Sequence, residues 1–169
     1  MRDRAALRWR LVAFVIGLLM SACAPAYDEV ADRLVSVAQM RFDEGAVALI
    51  SAARRAEALR ARTPLPPTSV LNEAGARVAF AANQSWYDAA DTALNAARLR
   101  VTADPATPAQ IDASFQAIQD NLDDLRRTHE SQDRLGSAVL IAARREINRQ
   151  YHAIMTYMLL VRSGKQPAR

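Results

Sequence analysis

The sequence predicts an all-α protein, and three observations predict it. Long stretches are built from Ala, Leu, Arg, Glu and Gln, all good helix formers. Apolar residues recur at steps of three and four, and no stretch alternates with period two. Glycine is scarce, and proline falls in a few places: Pro25, then Pro64, Pro66 and Pro67, then Pro105 and Pro108, then Pro167. These prolines punctuate the chain into long helical segments. The expected architecture is an antiparallel bundle of three long helices. The last either runs on unbroken or breaks near Gly136 to give a four-helix bundle.

Segment A runs from about Tyr27 to Arg62, where "TPLPPTS" stops it. Its seam reads Val30, Leu34, Val37, Arg41, Gly45, Leu49, Ala52, Ala56 and Leu59, with one extra step of four that reads as a stutter. Segment B runs from about Ser69 to Val101. Leu71, Gly75, Val78, Ala82, Trp86, Ala89, Ala93 and Ala97 form its face, and their small size favours close helix approach. A short connection makes neighbouring helices antiparallel. An A–B hairpin centred near residue 65 sets Gly45 opposite Trp86, the absent side chain facing the largest one.

Segment C begins at "ATPAQ". Thr107 reads as an N-cap, Pro108 as the first helical residue and Gln110 as the closing member of a capping box. The seam runs through Ile111, Phe115, Ile118, Leu122 and Leu125, turns polar across "RRTHESQDR", and resumes from Leu135 through Ile147, Tyr151, Ile154, Met158 and Val161. Segment C is longer than A or B, so everything after about Leu140 lacks an obvious partner. Two outcomes follow. "RLGSA" supplies a glycine C-cap and a serine N-cap, and the chain folds back as a fourth helix. Otherwise Glu130 and Arg134 support continuity at i,i+4, and the overhang binds a partner through Ile154, Met158 and Val161.

The amino terminus has a different design. Arg2, Arg4, Arg8 and Arg10 precede the uncharged, mostly apolar run Leu11 to Ala22, and Ser21 and Ala22 stand before Cys23, the only cysteine in the chain. This is the layout of an export signal, and the apolar run is too short for a bilayer span of about 20 residues. Met20-Ser21-Ala22-Cys23 resembles the lipobox of bacterial lipoproteins, with Met20 where Leu is commonest. The resemblance implies cleavage between Ala22 and Cys23, diacylation of the Cys23 sulfur and acylation of its new amino group. It also implies an outer-membrane anchor facing the periplasm, because Ala24 stands where Asp favours retention in the inner membrane. Residues 1–22 are then a signal peptide, and residues 23–169 a single domain with a short disordered C-terminal tail.

Composition narrows the function. The whole chain has 22 basic and 18 acidic side chains, for a net charge of +4. Removing residues 1–22 takes away four Arg and one Asp and leaves the charge near +1. The excess charge therefore belongs mostly to the signal segment, and no nucleic-acid partner is expected. No cofactor and no metal are expected either. His129 and His152 are the only histidines, no Glu-x-x-His pair exists, and His129 is placed in the polar layer of segment C. Asp88 with Asp91, and Asp123 with Asp124, read as solvated surface. No phosphate loop, nucleophile elbow or thiol–imidazole pair is present, so no enzyme is expected.

The leading expectation is a lipid-anchored envelope protein with structural or protein-binding work. Its partners would be membrane lipid through Cys23 and an envelope protein or a second copy. Two alternatives remain open. One is a small-molecule-binding or sensor bundle with Trp86 and Tyr87 beside a pocket. The other is a phage-type lysis lipoprotein that bridges envelope layers.

Overall fold

The computed structural model describes residues 27–164. Within them the chain is all-helical, as expected, but it forms five helices rather than three or four. They are α1 (Glu29–Arg60), α2 (Thr68–Ala76), α3 (Phe80–Thr102), α4 (Ala109–Gln132) and α5 (Ser137–Arg162). The expected signal segment, Cys23 and residues 165–169 lie outside the described residues.

Segment A is α1, opened by a genuine cap: the Asp28 carboxylate accepts from the backbone N–H groups of Val30 and Ala31 at 2.9 and 3.2 Å. The same two backbone bonds, with Arg100 nearby, hold that carboxyl below its usual range. The expected seam is correct at Leu49, Ala56 and Leu59; at Ala52, and at every position before Leu49, the buried residue is the next one along the chain. Ala31, Val35, Ala38, Phe42 and Ala46 are buried, whereas Val30 and Arg41 are exposed. The buried face there is largely alanine, so bulk alone points to the wrong side.

Segment B is broken. Ala79 takes an extended conformation between α2 and α3. The break resets the helical phase, and the buried face of α3 is Tyr87, Ala90, Leu94, Ala97 and Val101, not the face of Trp86 and Ala89. Segment C is broken as well. Asp133 has a φ of 57° and ends α4, so aspartate rather than glycine supplies the left-handed stop, and Gly136 is the extended residue before α5. The continuous-helix alternative is thereby excluded.

The two breaks lie side by side. Ala79 and Arg134 form a single antiparallel bridge, and the Phe80 N–H donates to the Asp133 carbonyl at 2.9 Å. Neither α3 nor α5 is capped by its own N-cap side chain. The first N–H of α5, from Ser137, donates instead to Glu57 on α1 at 2.7 Å, and the Ser137 hydroxyl donates to the other Glu57 oxygen at 2.7 Å. These bonds hold the Glu57 carboxyl below its usual range. The start of α4 also departs from expectation. Pro108, not Thr107, is its N-cap, and no side chain caps it. The Thr107 hydroxyl instead donates to the Val101 carbonyl at 2.7 Å and closes the α3–α4 turn.

α1 packs against α3 and α5, and α4 packs against the same two helices. Cross-helix polar pairs fix an antiparallel register: Asp28 with Arg100 at 2.6 Å, Arg98 with Asp112 at 2.8 Å, and Asp43 with Arg144 through two bonds of 2.7 and 2.9 Å. The Arg144 guanidinium holds the Asp43 carboxyl below its usual range. One continuous core fills the space between the four long helices. α2 packs on α1 through a separate small cluster of Ala56, Leu59 and Ala74, with Leu71 against it.

Candidate functional site

Five aromatic rings and one imidazole gather near the middle of the core, and they include both residues of the expected ligand pocket. Trp86 lies over Gly45. A Cβ built on Gly45 would overlap the Cδ1 and Nε1 atoms of the indole. The indole N–H donates to the Phe42 carbonyl at 3.2 Å, which satisfies the one polar atom of a half-buried ring. Tyr87 packs beside Trp86 with centroids 4.4 Å apart and ring planes tilted by 44°. Phe42 contacts Trp86 on one side and Tyr151 on the other, at 6.0 and 6.4 Å.

Tyr87 and His129 are both fully buried. His129 Nε2 lies 2.9 Å from the Val78 carbonyl oxygen, and Nδ1 lies 3.1 Å from the Tyr87 hydroxyl. A carbonyl only accepts, so Nε2 carries the hydrogen and Nδ1 accepts from the phenol. A single neutral tautomer thus satisfies all three groups. The Val78 carbonyl belongs to the α2–α3 break, which has lost part of its helical bonding there. His129 therefore ties α4 to that break. Phe80 meets the imidazole edge-on at 5.6 Å. Burial pushes the Tyr87 phenol above its usual range.

Chemically this pair is closed. The phenol hydrogen is given to the imidazole, the imidazole hydrogen is given to backbone, and neither ring reaches solvent. The space around Trp86 and Tyr87 is taken up by Phe42, Phe80 and His129. The cluster, with Tyr151 included, locks four helices together and presents no reactive atom to a substrate.

The expected partner surface requires a correction. Ile154, Met158 and Val161 are 0, 4 and 9% exposed. The chain folds back after Gln132, and α5 delivers these side chains to the common core between its neighbours. Ala22 and Cys23, the expected cleavage and acylation positions, lie outside the described residues. The nearest described residue is Tyr27, whose hydroxyl donates to Asp32 at 2.8 Å and whose ring lies 5.5 Å from the Arg162 guanidinium.

His129 was missed as a core residue, although a signal for it exists. Ile111, Phe115, Ile118, Leu122, Leu125 and His129 are spaced by four, three, four, three and four, so the seam passes through the histidine. Its polar neighbours in "RRTHESQDR" conceal that. Among the described residues, no group of three or more His, Cys, Asp or Glu side chains converges to hold a metal ion, and no helix is long and apolar enough to cross a membrane. Comparison with protein-family models, with curated proteins and with solved structures gives no match, so the functional reading rests on the residues themselves.

Proposed function

We propose that the chain is a non-enzymatic, lipid-anchored helical protein of the bacterial envelope. It is held at the periplasmic face of the outer membrane through acylated Cys23 and serves there as a structural or protein-binding accessory. The observation that carries this reading is the run Met20-Ser21-Ala22-Cys23 behind a basic and then apolar leader, only four residues ahead of Tyr27. Two or three acyl chains on one cysteine anchor stably where a single chain does not. In architecture, the reading is a four-helix up-and-down bundle that carries α2 as an additional short helix.

The polar side chains described above support an accessory role. Asp28, Asp43 and Glu57 are engaged in capping or in joining helices, and the His129–Tyr87 pair is closed to solvent. A protein partner must use a surface other than the Ile154–Met158–Val161 seam, which the chain uses internally.

Labelled palmitate and mass spectrometry test the anchor. The mature protein should begin at an acylated Cys23. Cys23→Ala should accumulate as an unlabelled precursor that retains residues 1–22. A wild-type protein with a free Cys23 thiol overturns the reading.

A further inference from the structure

The pole of the bundle nearest Cys23 carries three exposed apolar side chains, one on each of three helices. Val30 is in the first turn of α1, Leu99 in the last turn of α3 and Leu159 in the last turn of α5, and they are 54, 73 and 61% exposed. The antiparallel packing brings these three ends together, as the Asp28–Arg100 pair and the Arg162–Tyr27 contact show. An arginine stands beside each apolar residue: Arg33 after Val30, Arg100 after Leu99 and Arg162 after Leu159. Two of these guanidinium groups are already paired, Arg33 with Glu29 at 3.3 Å and Arg100 with Asp28 at 2.6 Å. The pole therefore offers apolar area with largely balanced charge.

We infer that this pole rests on the lipid surface, with Leu99, Leu159 and Val30 seated among the headgroups and the upper acyl chains. The inference rests on acylation of Cys23. The chain between Cys23 and Tyr27 spans four residue steps, at most about 14 Å when fully extended. A tether that short leaves the pole no room to stand clear of a headgroup layer. Exposed leucines at that depth gain from leaving water. Balanced charge fits a zwitterionic surface, so contact should depend little on salt. The opposite pole, with Leu65 at 67% exposure in the α1–α2 connection, then points away from the membrane. The 32 residues of α1 place it about 48 Å farther out.

The test uses the full acylated protein in phosphatidylcholine vesicles. Acylation occupies Cys23, so an introduced cysteine is the only free thiol for a fluorescent label. Labels at Leu99→Cys and Leu159→Cys should be quenched by nitroxide-bearing lipid and shielded from iodide. A label at Leu65→Cys should show the reverse, and raising the salt should change neither result. Three outcomes overturn the inference. In the first, Cys23 is acylated but positions 99 and 159 are as open to iodide as position 65; this leaves the anchor reading standing. In the second, shielding at 99 and 159 grows with protein density without lipid quenching, which assigns these side chains to contact with a second copy. In the third, Cys23 is a free thiol, and the anchor reading falls as well.

Discussion

Gly45 on α1 and Trp86 on α3 are in direct contact, and the missing side chain of one makes room for the indole of the other. The indole N–H then reaches the Phe42 carbonyl, so the glycine permits both a packing contact and a hydrogen bond. Gly45→Ala should force the ring aside, and Gly45→Leu should overpack the site by about 1–3 kcal/mol. Urea unfolding measures both. In a double-mutant cycle, Trp86→Leu should absorb most of the cost of Gly45→Ala. Additive costs would place the indole elsewhere.

Tyr87 and Tyr151 set an alkaline limit to stability. Burial raises both phenols above their ordinary range. In the unfolded chain they ionise near a pH of about 10, so above that pH the unfolded state releases protons that the folded state retains. Their contribution is complete below that value and is lost as pH rises beyond it. The slope should approach about 1.4 kcal/mol per pH unit for each phenol. Tyr87→Phe should remove one such contribution and, at neutral pH, cost about 1–3 kcal/mol by leaving His129 Nδ1 without its donor. Urea midpoints across alkaline pH supply both numbers. A flat profile in the wild type would mean that the phenols are exposed.

Glu57 acts as the cap for a helix that begins far from it in sequence. Both of its carboxylate oxygens are used on Ser137. Glu57→Ala should therefore leave α1 helical and loosen the first turn of α5. Amide hydrogen exchange should accelerate at residues 137–140 and stay unchanged at residues 150–160. Acid should act in the same direction. The folded carboxyl is held below its usual range, so this contribution is present above the ordinary glutamate value and fades as pH falls through the lowered one.

Ile154→Glu combined with Met158→Glu should unfold the isolated protein, because both positions are core. Burying two unpaired carboxylates exceeds what a domain of this size tolerates. Circular dichroism decides the matter. A double mutant with full helicity and unchanged melting would return these residues to the surface.

The parts of the fold that were legible in the sequence are those set by local chemistry. Helix content followed from composition and spacing, and the stop after Arg60 followed from Pro64, Pro66 and Pro67. The Gly45–Trp86 pairing followed from hairpin arithmetic. The break at Ala79 was not legible, because its local marks are weak: no proline, no side chain capping the first turn of α3, and a residue that favours helix, with only Asn83 nearby to donate to the Arg77 and Ala79 carbonyls. Its partners, His129 in α4 and Asp133 just past the end of α4, are distant in sequence. The break at Asp133 was half legible. Gly136 marked the place, but its glycine was assigned the wrong end of the turn. Carrying one helical phase through Ala79 put Trp86 at the centre of the core and Tyr87 outside it, whereas the reset phase buries Tyr87 fully.

The paired breaks also bear on the order in which the chain folds. Phe80 depends on Asp133, 53 residues away, and Ser137 depends on Glu57, 80 residues away. Contacts that close such long loops form only after the chain has paid the entropy of bringing distant segments together. The starts of α3 and α5 are therefore decided by topology and come late, whereas the start of α1, capped by its own Asp28, needs no distant partner. A peptide cut from residues 68–102 has no Asp133 to interrupt it. It should run as a single frayed helix through Ala79 and acquire its break only when the rest of the chain is restored.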